Sequence, residues 1–319
     1  MFFLLIPVIL YLLIKKIFWP KHLKSIAGKH VVITGGSSGI GRSVAVLAAR
    51  KGAHVTILAR DVNKLKLAQA DVEQACVNDQ QQIQSISLDV TDDVKVKKIF
   101  DEIDLKNPIY MLINCPGKAI CGKLEDMSTE DIKSIVDLNF LGTVFPIQSV
   151  IPKLKSRKDG IIVISASQAA LVGIFGLSVY TGTKFALRGF AEAIDMELHP
   201  YNVDVTVAVP ADTDTPGFEN ENKSKPEETK LISNTGGLFH PDVIAEQLLN
   251  DALVGKFFSY VGFESFITTT LTVGMSRSTL KDVILEAFLM GPFRIISLCY
   301  LNHFHSIIRK CHEKVNKTK

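Results

Sequence analysis

The chain has 319 residues and carries 36 Lys and Arg against 33 Asp and Glu, a net charge of +3. This weak basic balance argues against nucleic acid as a partner, and a content of 47% hydrophobic and 22% charged residues excludes a disordered chain. Five cysteines without a CxxC pair exclude a zinc site and a disulfide scaffold, and they are typical of a reducing compartment. The mean hydropathy of +0.22 is high for a soluble enzyme.

A hydrophobic segment at the N-terminus accounts for part of this hydropathy. Residues 2–14 are uncharged and largely apolar, and as a helix they cover about 20 Å, short of the ~30 Å hydrocarbon core of a bilayer. Positive charge follows the segment at Lys15, Lys16, Lys21 and Lys24, and Trp19-Pro20 is a poor cleavage site. We therefore expect residues 1–19 to be a retained anchor with its C-terminal side in the cytosol. The alternative is a hydrophobic helix packed on the domain itself.

Strands and helices alternate from residue 28 to residue 262. The pattern predicts strands at 30–34, 55–58, 83–89, 109–114, 160–164 and 203–209, and helices at 40–51, 62–76, 92–103, 129–154 and 180–198. We expect Pro146 and Pro152 to kink or end the fourth of these helices. Because strands this apolar are covered on both faces, the fold class is α/β, with a Rossmann-type, doubly wound parallel sheet in one domain.

The turn after the first strand is rich in glycine and serine. It joins a strand to a helix N-terminus, where free N–H groups and the helix dipole bind a dinucleotide pyrophosphate. The candidate phosphate-binding residues are Gly35, Ser37, Ser38, Gly39, Ile40 and Gly41. The glycine spacing differs from GxGxxG, so the prediction of a dinucleotide site depends on the position of this turn directly after a strand.

The end of the second strand indicates the type of cofactor. Where an acid would bind the ribose hydroxyls of NAD, the chain has Ala59 followed by Arg60, with Lys64 one helical turn further on. A guanidinium binds a 2′-phosphate through paired hydrogen bonds, which predicts NADPH; the alternative is an ordinary surface Arg and Lys. At the end of the third strand, Asp89 is expected to accept a hydrogen bond from adenine, or else to cap the next helix with Thr91.

Three polar residues near the fifth strand are candidates for the chemistry. Tyr180 and Lys184 lie one turn apart on a predicted helix, and Ser167 follows the fifth strand. An ammonium beside a phenol favours the phenolate and brings its pKa toward the working range. A hydroxyl at position 167 can stabilise charge that develops on a carbonyl oxygen.

With the glycine turn, these residues make the chain similar to the short-chain dehydrogenase/reductase family over residues 28–262. The resemblance implies that Tyr180 is the catalytic acid/base, that Lys184 tunes Tyr180 and binds the nicotinamide ribose, that Ser167 orients the carbonyl and that Asn139 supports a proton-relay water. It also implies cofactor contacts from Val90, Asn114, Tyr180, Lys184 and Thr213. The chain departs from the family pattern at Cys115-Pro116-Gly117 and at Ala166, which leaves Ser167 as the serine of the site and predicts that Ser165 points elsewhere.

Within that family the chain is similar to membrane-bound enzymes that reduce the 3-keto group of a long-chain sphingoid base with NADPH. The resemblance implies the endoplasmic reticulum membrane, with the catalytic domain facing the cytosol. The nearly all-apolar run 169–177 between Ser167 and Tyr180 is expected to border a pocket for a greasy substrate, although it could simply pack in the core. Residues 211–240 are long for a bare connection and are expected to form a lid.

Residues 263–319 form a second apolar region with a basic tail. Glu286 and Arg294 make a straight membrane span costly, so we expect two short helices that meet at Gly291-Pro292 and either lie in the membrane interface or form a shallow hairpin. A dimer interface or a helix that caps the core is the alternative.

Two other functions fit the same residues. One is a membrane-bound hydroxysteroid or retinol dehydrogenase, which would share the catalytic core. The other is a non-catalytic NADP-binding scaffold, which would be free to lose Tyr180 or Lys184, and the chain has both. The family resemblance further implies a homo-oligomer formed through the helices that carry Asn139 and Tyr180. No metal is expected.

Overall fold

A computed structural model describes residues 23–317. In this part of the chain seven parallel strands form one sheet in the order β3-β2-β1-β4-β5-β6-β7. The strands are β1 (His30–Thr34), β2 (His54–Ala59), β3 (Ile83–Ser87), β4 (Ile109–Asn114), β5 (Gly160–Ser165), β6 (Val203–Ala208) and β7 (Phe258–Ser259). The α/β class and the parallel sheet are therefore confirmed, with β7 as an additional two-residue strand.

Helices cover both faces of the sheet. They are α1 (Gly39–Arg50), α2 (Val62–Gln74), α3 (Asp93–Lys106), α4 (Thr129–Val136), α5 (Gly142–Arg157), α6 (Ser178–Leu198), α7 (Pro216–Ser224), α8 (Glu227–Ser233), α9 (Pro241–Leu253), α10 (Phe263–Thr272) and α11 (Leu280–Lys317). Helices α3, α5 and α6 bury their apolar faces on one side of the sheet, and α1, α2 and α9 on the other. Burial of side chains such as Phe100 and Ile57 on opposite faces stabilises the layers.

The long helix predicted at residues 129–154 does not end at Pro146 or at Pro152. Helix α4 passes through a π-helical turn, Asp137–Leu141, into α5, which contains both Pro146 and Pro152. Buried side chains at Pro146, Ile147 and Val150 pack this helix against the sheet, and this packing outweighs the hydrogen bonds that the prolines leave unmade. The π turn inserts the buried Asn139 toward α6.

The order of the strands reverses between β1 and β4, and ligands bind at such a point in open α/β sheets. The carboxyl ends of β1, β4 and β5 are Thr34, Asn114 and Ser165. These ends meet at one edge of the sheet, so the loops that follow them share a crevice.

The predicted break at Gly291-Pro292 is wrong, because α11 is one continuous helix through both residues. Phe293 is 5% exposed and its ring packs edge-on against Phe263 and Phe266 of α10. This aromatic packing keeps the helix intact where Pro292 removes a backbone hydrogen bond, since aromatic contacts of this kind add to the burial of apolar area.

Two helical stretches in residues 23–317 are long and apolar enough to cross a membrane, judged by length and composition. In Thr129–Arg157, which packs on the sheet, 39% of the apolar window is buried, whereas in Leu280–Lys314 only 6% is. The predicted anchor at residues 1–19 lies outside the described residues.

Candidate active site

A cavity of about 330 Å³ lies at the carboxyl edge of the sheet, between β1 and β4. We call it the nucleotide cavity. Ten of the predicted cofactor-binding residues line it: Gly35, Ser37, Ser38, Gly39, Ile40, Gly41, Arg60, Lys64, Asp89 and Val90. Sequence reasoning missed Leu138, from the π-helical turn, and Thr215, from the start of α7, which also line it.

The glycine turn is closely packed against its neighbours. Gly35 has φ +71°, and a Cβ there would lie 2.8 Å from the backbone nitrogen of Pro116. A Cβ on Gly41 would clash with the carbonyl oxygen of Gly35. The turn therefore needs glycine at both positions, and it delivers the start of α1, which has no acid in its first turn, to the cavity.

At the far end of the nucleotide cavity, the Arg60 side chain is 70% exposed and its Nη1 lies 4.0 Å from Oδ2 of Asp89. The Oδ1 atom of Asp89 accepts hydrogen bonds from the amide and hydroxyl of Thr91, at 3.0 and 2.8 Å. Asp89 does not cap α3, because Asp92 is its N-cap and accepts a hydrogen bond from the Lys95 amide. The guanidinium and the exposed Lys64 supply cationic donors at this end.

A second cavity, of about 190 Å³, adjoins the first, and both are lined by Cys115, Gly117 and Ser165. We call it the catalytic cavity. The predicted residues Ser167, Tyr180, Lys184 and Thr213 line it. Ser165 also lines it, and its backbone carbonyl oxygen accepts a hydrogen bond from Lys184. The expected orientation of the Ser165 side chain, away from the site, stays a prediction.

Tyr180 is held in its protonated form. Burial raises the pKa of the phenol well above its usual value, a hydrogen bond with Ser167 acts in the opposite direction, and the carboxylates of Glu221 and Asp212 raise the pKa further. The predicted effect of the Lys184 ammonium on the pKa of Tyr180 stays a prediction. A protonated phenol can donate its proton to an oxygen on which negative charge develops.

Lys184 lies beneath Tyr180 and is only 3% exposed. Its Nζ donates a hydrogen bond to the carbonyl oxygen of Ser165 at 3.1 Å and lies 5.5 Å from the centroid of the Tyr180 ring. Burial lowers the pKa of Lys184 to about 8. The ammonium is therefore easily neutralised, in contrast to an exposed lysine.

Asn139 and Asn114 are buried behind the cavities rather than among their lining residues. The Asn139 side chain accepts from the Lys118 amide at 2.9 Å and donates to the Lys118 carbonyl oxygen at 3.0 Å. The Asn114 Oδ1 atom accepts from the Thr34 hydroxyl at 2.9 Å, while its buried Nδ2 has no hydrogen-bond partner among residues 23–317. Both asparagines thus fix loops that border the site.

Sequence reasoning missed a charged cluster at the catalytic cavity, in which Asp212 and Glu221 line the cavity and the buried Lys225 is paired with both. The Lys225 Nζ lies 2.9 Å from Oε1 of Glu221 and 3.5 Å from Oδ2 of Asp212. Burial raises the pKa of both carboxyl groups, and Lys225 opposes that shift. The helical spacing of Glu221 and Lys225 was the available signal, but only the fold brings Asp212 beside them.

Comparison with known proteins gives consistent results. The family model described as short chain dehydrogenase matches residues 29–226. The chain is 44% identical to 3-dehydrosphinganine reductase of Danio rerio over 97% of its own length and 94% of the relative's, and 42% identical to 3-ketodihydrosphingosine reductase of Bos taurus over 95% and 92%.

Two solved structures share the fold. Levodione reductase superposes with a TM-score of 0.69 at 21% identity, covering 76% of this chain and 99% of that one. A short-chain dehydrogenase from Sphingobium yanoikuyae, in complex with NADPH, gives a TM-score of 0.65 at 23% identity, covering 73% and 87%.

Proposed function

Because the chain belongs to the short-chain dehydrogenase family, we propose that it reduces the 3-keto group of 3-ketodihydrosphingosine to a hydroxyl with NADPH, giving dihydrosphingosine. The observation that carries this proposal is the identity of 42–44% to named reductases of this ketone over nearly the whole chain. The cavity that joins Ser167, Tyr180 and Lys184 supports it on chemical grounds.

The residues of the nucleotide cavity fit NADPH by their chemistry. The N-terminus of α1 and the Ser37-Ser38-Gly39 turn would hold the pyrophosphate, and Arg60 with Lys64 would hold the 2′-phosphate. Asp89 and Val90 would border the adenine. When bound, NADPH supplies the hydride that reduces the carbonyl carbon.

In the proposed mechanism Tyr180 donates its phenolic proton to the ketone oxygen, which becomes the hydroxyl. Ser167, hydrogen-bonded to Tyr180, stabilises the negative charge that develops on that oxygen. Lys184 lies at the bottom of the site, where its ammonium stabilises the phenolate left behind, and Thr213 borders the same cavity. Asn139 holds the loop at Lys118 through two hydrogen bonds and would support the water that resupplies the proton.

The charged cluster favours an amino ketone over a steroid ketone or a retinal. With both carboxyls ionised, Asp212 and Glu221 carry two negative charges against one positive charge on Lys225. The ammonium of a sphingoid base, which is bonded to the carbon next to the ketone, would neutralise the remaining charge, whereas the other two ligands carry no cation. The hydrogen bond between Ser167 and Tyr180 favours an enzyme over a non-catalytic scaffold, because a scaffold does not require this pair.

We also place the protein on the endoplasmic reticulum membrane, with residues 28–262 as the cytosolic reductase domain, 1–19 as the anchor and 263–319 as a membrane-associated region. Large apolar side chains of α11, such as Phe288 (78% exposed) and Ile295 (68% exposed), support contact with the bilayer. The basic residues at the end of the chain suit an anionic leaflet. Exposed Phe185 and Met196 on α6 support a homo-oligomer through that helix.

The experiment is NADPH oxidation by the purified full-length protein in detergent, with 3-ketodihydrosphingosine, a steroid ketone and retinal as parallel substrates. We expect turnover of the sphingoid ketone, and at least tenfold weaker turnover when NADH replaces NADPH. Turnover of only the steroid or retinal would contradict the substrate. Binding of NADPH without any turnover would support the scaffold.

The variant Glu221→Gln tests the charge argument. We expect a higher KM for the amino ketone and an unchanged KM for an analogue that lacks the amino group. An equal change for both ketones would contradict recognition of the ammonium.

A further inference from the structure

A third cavity, of about 350 Å³, lies between the Ser167–Tyr180 loop and the two C-terminal helices. We call it the C-terminal cavity. Its apolar wall comes from four separate parts of the chain and includes Val172, Ile174, Ile232, Ile267, Leu301 and Phe304. It is larger than the catalytic cavity, and none of the steps proposed above uses it.

The C-terminal cavity and the catalytic cavity share a boundary. Gln168, Ile174, Asp212 and Ser233 line both. Gln168 follows Ser167 directly, and its Nε2 donates a hydrogen bond to the Ser265 hydroxyl of α10 at 2.6 Å. The loop that carries Ser167 is thus fastened to the helix that forms the far wall, so the two spaces keep a fixed relation to each other.

One face of helix α11 lines the C-terminal cavity, and other faces of the helix are exposed. The residues at 294, 297, 301 and 304 recur every three or four positions and face the cavity, whereas Phe288 and Ile295 on other faces are exposed. Two of the polar residues that line the cavity, Tyr300 and Glu264, are hydrogen-bonded to each other, and Arg294 also lines it. The interior left between these groups is predominantly apolar.

We propose that the C-terminal cavity binds the alkyl chain of the substrate, so that α11 acts as a wall of the lipid-binding site and selects for chain length. This inference depends on the proposed reduction of a sphingoid ketone. With the ketone at Ser167 and Tyr180, the alkyl chain extends past Ile174 into the C-terminal cavity. The amino group, on the other side of the ketone, remains with Glu221 in the catalytic cavity, and Asp212 lies at the boundary of the two cavities.

Burial of apolar groups sets the expected size of the effect. Each methylene that enters an apolar cavity contributes a factor of about four to binding. The kcat/KM value should therefore rise steeply with chain length until the cavity is full, and then level off.

The variants Leu301→Trp and Gly173→Trp test the proposal from two sides of the cavity. A Cβ on Gly173 meets nothing within 4 Å, so a large side chain there occupies the cavity without a backbone clash. Leu298→Trp is the matched control, because Leu298 and Leu301 lie on the same helix with 42% and 45% exposure, and only Leu301 lines the cavity.

The measurement is kcat/KM for 3-keto-2-amino alcohols of short and long chain length, at one detergent concentration. We expect both cavity variants to lose at least tenfold with the long-chain ketone and less than twofold with the shortest, while Leu298→Trp follows the wild type. An unchanged ratio of long-chain to short-chain kcat/KM in both variants would overturn the proposal. If the wild type reduces none of these ketones, the proposed function itself fails.

A second measurement uses only the wild-type protein and so does not depend on how the variants fold. A sphingoid ketone with a photoactivatable diazirine at the end of its chain is crosslinked in the presence of NADPH and mapped by mass spectrometry. We expect label on α11 between residues 297 and 304 or on Val172. Label confined to surfaces outside the C-terminal cavity would overturn the proposal.

Discussion

The nucleotide cavity and the C-terminal cavity are assembled in different ways. The first is formed mainly by short turns that directly follow β1, β2, β3 and β4, so most of its residues are close in sequence to a strand. The second joins residues 168–174, 232–236, 264–268 and 294–304, which only the tertiary fold brings together. Local backbone chemistry therefore defines the binding of the cofactor, whereas packing between distant helices defines the space for the substrate.

The largest effect is expected for Tyr180→Phe, which should slow the reduction of the ketone without weakening the binding of NADPH. Tyr180→Phe removes the proton donor of the catalytic cavity and should lower kcat by about 10²- to 10⁴-fold, since general acid catalysis contributes that much. Affinity for NADPH, measured by fluorescence titration, should stay within a few-fold of wild type, because Tyr180 lies outside the nucleotide cavity. Reduction of the ketone at the wild-type rate by this variant would contradict the mechanism.

The second prediction concerns the nucleotide cavity alone. Arg60→Ala removes the guanidinium at the end of β2 and should weaken NADPH binding by about 10- to 100-fold, the value of one or two charge-assisted hydrogen bonds. Binding of NADH should be unchanged, which makes NADH the internal control. Equal weakening of both cofactors would mean that Arg60 serves the structure of the cavity rather than the 2′-phosphate.

The third prediction concerns Lys184 in the catalytic cavity, which adjoins both the nucleotide cavity and the C-terminal cavity. Because burial lowers the pKa of Lys184 to about 8, its ammonium is lost as the pH rises above that value. The kcat/KM of the wild type should then fall about tenfold per pH unit above pH 8. A profile that stays flat to pH 10 would show that the protonated form of Lys184 is not needed.

The smallest effect is expected for the pH dependence of stability, and it concerns His30 at the amino end of β1. Burial lowers the pKa of His30, whose ring is hydrogen-bonded to the Asn107 carbonyl oxygen and the Thr56 hydroxyl. Below about pH 6.5 the unfolded chain binds the proton first, so stability should decrease as the pH falls, by at most ~1.4 kcal/mol per pH unit.

Urea unfolding at pH 7.5 and 5.5 checks this linkage. His30→Gln should reduce the pH dependence of the midpoint. This variant should not change the affinity for NADPH, which would place the effect in the core rather than in a cavity.

The same contrast explains how far the sequence predicts the structure. The glycine turn, the six longer strands and the partners Ser167, Tyr180 and Lys184 depend on local spacing, and the structure brings these three residues into one cavity. Strand β7 has two residues and forms because Val207 and Ala208 of β6 pair with it, so no local pattern indicates it. The lid region has capping signals at Thr215-Pro216 that were available, and it folds as α7 and α8.

The predicted break in α11 is wrong for the same reason, because contacts between remote segments are not visible in the local sequence. Proline statistics describe an isolated helix, whereas Phe293 packs into two rings of α10 that lie about 30 positions away in the chain. The charged cluster and the C-terminal cavity likewise depend on contacts between segments that are remote in sequence.

Transfer of a hydride from NADPH to the keto carbon can be tested by following the transferred hydrogen itself. NADPH carrying deuterium at C4 of the nicotinamide, in each stereoisomer, is supplied with 3-ketodihydrosphingosine, and the product is analysed by mass spectrometry. We expect dihydrosphingosine one mass unit heavier, with deuterium on carbon 3, from one of the two stereoisomers and a loss of this product in Tyr180→Phe. Unlabelled product from both stereoisomers, or no dihydrosphingosine at all, would contradict this transfer.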